Sequence, residues 1–244
     1  MMFLSNSNLG EVVKTQVKYK MNAYLGTLVS LIVVQILGLI LSMNGTSSMS
    51  TNFNNTDFQI VWITADTVII FVSIWALFLG NVITTKGYRK TNFSFVTNGI
   101  SNNLSNIIVL IIMSVFAGVT TFLSHYILRL VVPLFNDVGY VKSGSIIDDP
   151  LSSIASMGLM VGLILMISAG GYLWGTLVYI HRAYMFLLIV LIITLPTTKT
   201  GQMILQFIFA DNGSLFVLNF KFVCVAIIFF VLAMLSSNRL EVKR

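Results

Sequence analysis

Three charged side chains stand inside apolar runs of this sequence: Asp66, Arg129 and Lys221. At the centre of a membrane helix each such group costs roughly 2.5–3.5 kcal/mol on insertion scales, so its presence asks for a purpose. Asp66 lies as far past Ile60 as Lys221 lies past Leu215. In two helices entering from the same side, that equal spacing means similar depth. A structural ion pair between them is one reading, with Arg129 as a rival partner. Snorkelling to the headgroups and a part in ion or substrate passage are the others, and none of the three reads as catalytic.

Other chemistry lacks the residues it needs. The two histidines, His125 and His181, fall towards opposite faces of a bilayer, so neither a bis-histidine haem nor a His-Glu-x-x-His zinc site is available. Glu11 and Glu241 are the only glutamates and sit near the two ends, and there is no Gly-x-Ser-x-Gly elbow. A phosphate-binding Gly-x4-Gly-Lys-Ser/Thr loop is also missing. Cys224, the single cysteine, leaves no disulfide framework or thiolate cluster. The expectation is a chain that is no enzyme, holds no metal or cofactor, and uses ATP only through another polypeptide.

The elements that position these residues follow from composition. Only 9% of the 244 residues are charged and 57% are hydrophobic, with a mean hydropathy of +0.93. Soluble domains carry about 25% charged residues, so a water-soluble enzyme is excluded and an integral membrane protein is expected. The net charge of +6 is then read as a topology signal rather than as a nucleic-acid stripe. A bilayer core of about 30 Å needs about 20 apolar residues in a helix. Six candidate spans meet or approach that, at 22–43, 60–83, 106–132, 154–179, 183–195 and 215–235. The fifth is short unless its helix continues past Pro196 into 202–209. The first apolar run, 25–41, follows Lys14, Lys18 and Lys20 as a signal sequence would. It is longer than a signal core and lacks an Ala-x-Ala site, which makes it a retained anchor.

Basic residues set the orientation. Lys14, Lys18, Lys20, Lys86, Arg89, Lys90, Arg182, Arg239, Lys243 and Arg244 fall on one side, against Arg129, Lys142, Lys199 and Lys221 elsewhere. Both termini are therefore expected in the cytoplasm, in agreement with an even number of crossings. The outer stretches 44–59 and 133–153 are polar and short of core-forming residues, and read as solvated connections.

Four segments carry more information. In 9–20, Leu9, Val12, Val13, Gln16, Val17 and Lys20 recur at helical spacing with Glu11, Lys14 and Lys18 elsewhere on the wheel. This predicts an amphipathic interfacial helix whose lysines meet anionic lipid headgroups. In the inner stretch 84–105, Phe93, Val96 and Ile100 repeat at helix spacing beside Phe95, behind Lys86, Arg89 and Lys90. Such a segment is suited to meet a partner at the membrane surface, or to dip its phenylalanines into lipid. Between the fifth and sixth spans, Met203, Ile204, Phe207 and Ile208 form an apolar ridge in 196–214. That predicts an outer re-entrant helical element, or a simple extension of the fifth helix. Finally, Gly158 with Gly162 and Gly171 with Gly175 have the spacing that lets membrane helices approach closely. Trp62 and Trp174 stand where interfacial anchors belong.

An amphipathic helix before span one, a helical inner loop after span two and an apolar re-entrant element before span six together resemble the permease subunit of an ABC-2-type (type V) ABC exporter. The most sequence-like part of the resemblance is Arg89-Lys90-Thr91-Asn92-Phe93-Ser94-Phe95-Val96-Thr97-Asn98-Gly99-Ile100-Ser101. It implies an all-α, six-helix membrane domain covering 1–244, in a bacterial plasma membrane. It implies a cytoplasmic coupling helix within 87–103 that docks on a separate ATPase subunit, through Arg89, Lys90, Asn92, Phe93, Phe95, Val96, Asn98 and Ile100. Unlike the usual family loop, 84–105 has no acidic residue. ATP and magnesium would be bound by that partner, and a second permease chain, identical or a sister, would complete the pathway. Small permeases of this kind resemble exporters of phenol-soluble modulins and antimicrobial peptides. The implied cargo is thus an amphipathic peptide or another hydrophobic substrate drawn from the inner leaflet, with no nucleic acid involved. An ion-coupled carrier using Asp66 and Lys221, and a non-transporting scaffold or sensor subunit, are the alternatives.

Overall fold

A computed structural model describes residues 9–43, 47–53, 56–62, 64–85, 99–135, 149–210 and 214–241. The first helix, α1 (Leu9–Ala23), buries Val13, Gln16 and Lys20 along one face. Tyr24, with φ −95° and ψ 10°, breaks it from α2 (Leu25–Ser42), an apolar helix without a charged residue. Strands β1 (Ser47–Phe53) and β2 (Thr56–Trp62) follow, then α3 (Asp66–Ile83), α4 (Gly99–Phe135) and α5 (Pro150–Ile180). A 3-10 turn over Arg182–Tyr184 leads into α6 (Met185–Thr197), α7 (Lys199–Phe209) and α8 (Leu215–Glu241).

Local chemistry explains several of these limits. Asp149 caps α5, its side chain accepting from the Ser152 N–H at 3.3 Å, and Pro150 fills the first turn, where no N–H is needed. Thr198, in an extended conformation, ends α6 and caps α7 by accepting from the Gly201 N–H at 3.2 Å.

Five helices are long and apolar enough to cross a membrane: Leu25–Ser42, Asp66–Ile83, Gly99–Leu134, Pro150–Ile180 and Leu215–Ser237. Large apolar side chains such as Val29, Ile36, Phe78, Phe116 and Phe220 point outwards along them. Such a surface suits lipid and not water, and the chain is an integral membrane protein. α6 has only 13 residues, about 20 Å of helix, and falls short of a bilayer core of about 30 Å.

α5 is the centre of the bundle and packs along α8, α3 and α4. Its pairing with α8 joins Gly158 and Gly162 to Asn219, Gly170 to Phe229 and Tyr172 to Phe230, so the two helices run parallel. Against α3, Gly171 meets Leu77 and Gly175 meets Asn81 and Thr84, again parallel. Neither glycine has room for a Cβ: the Leu77 backbone fills the space at Gly171, and the Thr84 hydroxyl, with the Asn81 backbone behind it, fills it at Gly175. α4 runs the other way, with Gly118 against Val161 and the Ser114 and Ser168 hydroxyls 3.1 Å apart. α2 lies antiparallel to α3, Gly38 against Val68 and Ser30 against Trp75. Val68, Val72, Ala76, Leu110, Met113, Ile164, Ala169 and Ala226 fill the shared core.

This arrangement gives the bundle two ends. α3, α5 and α8 all finish at one, here called the foot, where α1 also packs and α4 begins. The β-hairpin connects α2 to α3 at the other. Because α5 and α8 are parallel, the chain between them must travel back from the foot, and α6 and α7 make that journey.

Three sequence expectations change. The stretch read as a solvated outer connection is an antiparallel β-hairpin, in register from Ser47↔Trp62 to Phe53↔Thr56. Its second strand alternates polar and apolar residues over Asp57, Phe58, Gln59 and Ile60 and then runs through the β-branched and aromatic pair Val61 and Trp62, residues that suit a pleated strand. The second apolar helix consequently starts at Asp66 and not at Ile60. The third starts at Gly99 and not at Asn106, which makes the polar run Ser101–Asn106 helical.

Candidate functional site at the foot of the bundle

The most chemically specific place in the described chain is built around Lys20. On α1 the buried residues are Val13, Gln16 and Lys20, while Glu11, Lys14 and Lys18 are exposed. Lys20 therefore departs from the expectation that the α1 lysines meet headgroups: it turns into the protein and is 3% exposed. The reason is the face opposite, where α4 presents a polar turn. Lys20 Nζ donates to Asn102 Oδ1 at 2.8 Å, Ser105 Oγ at 2.6 Å and Asn106 Oδ1 at 2.5 Å, and lies 3.3 Å from the Asn102 carbonyl oxygen. An ammonium has three N–H donors, and all are used. Every acceptor is neutral. Burial without a carboxylate penalises the charged form, and pulls Lys20 from 10.5 down to about 7.

The same α4 residues reach further. Asn106 Nδ2 donates to the Tyr172 hydroxyl of α5 at 3.4 Å, and that hydroxyl donates to Asn103 Oδ1 at 3.0 Å. Ser237 of α8 donates to the same Asn103 oxygen at 3.4 Å. Gln16 adds a second tie from α1, its Nε2 donating to Ser101 Oγ at 3.4 Å. One polar cluster thus joins α1, α4, α5 and α8. Gln16 Oε1 and Asn103 Nδ2 are buried in it without a hydrogen-bond partner. Buried polar groups normally find partners, so these two atoms mark the cluster as less than fully closed.

Beside the cluster, the ends of α3 and α5 frame a cavity of about 560 Å³ lined by Asn81, Thr84, Thr85, Tyr179, His181 and Arg182, among others. Its walls are committed locally: Thr84 and Thr85 donate to the Asn81 and Val82 carbonyls, and His181 Nδ1 accepts from the Ala183 N–H. Trp174 donates to the Tyr184 carbonyl at 3.3 Å and steadies the turn after α5.

The residues singled out in the sequence fall in several places. Arg89, Lys90, Asn92, Phe93, Phe95, Val96 and Asn98 lie outside the described residues. Ile100 is in the first turn of α4 and exposed. Asp66 is exposed at the start of α3, where its Oδ2 accepts from the Thr64 hydroxyl at 2.6 Å. It stands at the first residue of a crossing helix and not at its centre. Arg129 lies over the Tyr126 ring, 5.6 Å from its centroid. Lys221 donates to the Ala210 carbonyl at 3.3 Å and sits 5.3 Å from the centroid of the Phe207 ring. The structure does not bring Asp66 and Lys221 together. Gly171 and Gly175 lie in the α3 crossing, Gly158 and Gly162 in the α8 crossing, where Asn219 inserts its amide. Among the described residues no three His, Cys, Asp or Glu side chains gather to hold a metal ion.

Sequence reasoning missed the Lys20 cluster. The available signal was Asn102, Ser105 and Asn106, three neutral acceptors on one helical face just before an apolar span, with a lysine on the preceding amphipathic helix. Set against protein-family models, curated proteins and solved structures, the chain matches none.

Proposed function

We propose that this chain is the membrane-spanning subunit of an ATP-driven exporter of the ABC-2 type. The observation that carries the reading is the joining of α1, α4, α5 and α8 through one hydrogen-bonded cluster at the foot. The segment between Thr85 and Gly99, which carries Phe93 and Phe95, leaves α3 and enters α4 within two turns of Asn102–Asn106. A force applied to that segment from a separate ATPase would reach three crossing helices and α1 together. In this reading the docking element falls within 87–103, and ATP and magnesium belong to the partner.

Topology is part of the proposal. α2, α3, α4, α5 and α8 cross once each, and α6 with α7 completes a sixth, broken passage, with both termini in the cytoplasm of a bacterial cell. A second permease chain supplies the other half of the path. The cargo is an amphipathic peptide or a similar hydrophobic substrate, which enters sideways from the inner leaflet. The scarcity of buried charge favours such a cargo over an ion. An ion-coupled carrier built on Asp66 and Lys221 is less favoured, since each has its own local partner.

The test is purification of the chain from its native membrane in mild detergent, with identification of stoichiometric companions. A companion with a phosphate-loop ATPase domain is expected, and Phe93→Asp or Phe95→Asp should abolish its association while leaving insertion intact. Purification with no ATPase under any mild condition would overturn the exporter reading in favour of a scaffold.

A further inference from the structure

We propose that the cavity at the ends of α3 and α5 is a binding site for a phospholipid headgroup that carries both a phosphate and a primary ammonium. The inference does not depend on what the bundle transports.

The cavity has two kinds of wall. One is made of donors. Arg182 stands in the turn after α5, and among the described residues its guanidinium has no hydrogen-bond or ion-pair partner. His181 beside it accepts the Ala183 N–H on Nδ1 at 3.2 Å, so the neutral ring carries its proton on Nε2 and can donate it. A planar guanidinium with a further N–H next to it is a donor set that recognises phosphate oxygens. Asn81 adds an amide that forms no hydrogen bond among the described residues, and an amide can both donate and accept.

The other wall is made of acceptors. α3 and α5 are parallel and both end here, and a helix end of this polarity carries about half a negative charge. Thr84 and Thr85 donate their hydroxyl protons to the Asn81 and Val82 carbonyls, 2.6 and 2.8 Å away, which leaves their oxygens only lone pairs to offer. Among the last α5 carbonyls, that of Leu177 accepts from the His181 N–H at 3.1 Å, while those of Val178 and Ile180, both cavity residues, accept nothing among the described residues. No Asp or Glu lines the cavity among the described residues.

A plain anion placed here meets two negative helix ends, and a plain cation meets Arg182. A zwitterion satisfies both walls, with its phosphate on Arg182 and His181 and its ammonium on the threonine oxygens, the Asn81 amide oxygen and the open carbonyls. The ammonium must be primary, because a trimethylated one has no N–H to give them.

That the zwitterion belongs to a lipid follows from the surroundings. On α3, Ile74, Phe78 and Asn81 follow one another at helical spacing along one stripe, and the first two are exposed. Beyond Arg182 the chain runs into Tyr184, Met185 and Phe186, all exposed. Polar lining thus gives way to apolar surface on both elements, as an amphiphile requires. The place is the end of two crossing helices, the depth at which headgroups lie.

The experiment uses the full chain in nanodiscs of equal parts phosphatidylethanolamine, phosphatidylcholine and phosphatidylglycerol, with the lipids held by the released protein counted by native mass spectrometry. Phosphatidylethanolamine and phosphatidylcholine share phosphate and net charge, so a difference between them reads the N–H groups. The ethanolamine lipid should be retained about tenfold over the choline lipid, as expected of hydrogen bonds to a charged group. Arg182→Gln should lower its retention about tenfold, and Asn81→Ala should narrow its lead over phosphatidylcholine. Equal retention of the two lipids overturns the proposal, and a lead for phosphatidylglycerol overturns it in favour of a plain anion site. Unchanged retention in both variants overturns it too, leaving Arg182 only to balance the helix ends. Displacement of the bound lipid by an equal concentration of soluble glycerophosphoethanolamine would show that no acyl chain is needed, and overturns the lipid assignment. Should Arg182→Gln fail to insert, an undiminished lead in Asn81→Ala overturns the site by itself.

Discussion

The foot of the bundle and the α6–α7 return are held in opposite ways. At the foot, four helices share hydrogen bonds among Lys20, Asn103, Asn106, Tyr172 and Ser237 over a close-packed core. Along the return, α6 is exposed at Met185, Phe186, Val190 and Ile193. Its attachments lie at its ends, where the turn after α5 begins it and α7 meets α8 through Phe209 on Phe222 and Ala210 on Lys221. Directional bonds fix relative helix positions, whereas a face in lipid gains nothing by choosing one neighbour over another. One part of the molecule is built to keep its geometry and the other to be carried.

The sharpest way to break that contrast is to overfill each region in turn. Gly171→Leu must push α5 off the α3 backbone at Leu77, and should destabilise the bundle by about 3 kcal/mol, as overpacked cores do. Gly201→Leu, which meets the Leu195 backbone at the α6–α7 corner, should leave the main unfolding transition in detergent where it is. Equal losses of Tm in the two variants would erase the distinction.

A middling effect is expected from Asn106→Leu. It deprives both Lys20 and Tyr172 of a partner, and leaving buried polar groups unpaired costs about 2 kcal/mol. Thermal unfolding followed by tryptophan fluorescence reads it, and a shift of less than one degree would show that the cluster is decoration. The smallest effects belong to the far end. Phe207→Ala removes the ring under Lys221 for about 0.5 kcal/mol. Asp66→Asn weakens a carboxylate at the start of α3 by a similar amount, about 0.5 kcal/mol. A loss of export or insertion on Asp66→Asn out of proportion to that figure would restore the carrier reading.

How much of this could be read from the sequence differs between the same regions. Membrane residence needed only composition, because charge poverty and long apolar runs leave no soluble alternative. The division of α1 into faces was also legible, since Val13, Gln16 and Val17 recur at the helical period. Helix limits were less so: Ile60, Val61 and Trp62 are as apolar in a strand as in a crossing helix, and the sequence reading ran them into the second span. The Lys20 cluster was invisible for another reason. Its partners lie 82 to 86 residues away, and hydropathy periodicity detects apolar faces, so a face made of Asn and Ser reads as loop. What was expected of Arg89 to Asn98 falls outside the described residues and rests on the proposed function.

The parallel course of α5 and α8 also dictates an order of assembly. Chains enter the membrane from the amino-terminal end, and domains form as their parts emerge. α2, α3, α4 and α5 can pair as soon as each follows its neighbour, but α8 cannot reach its place until the whole return has been threaded back. Until then Gly158 and Gly162 leave an open slot along α5 that lipid tails must fill, and Asn219 has yet to enter it. A polypeptide cut short before Leu215 would therefore leave Gly158 and Gly162 facing lipid tails in place of Asn219.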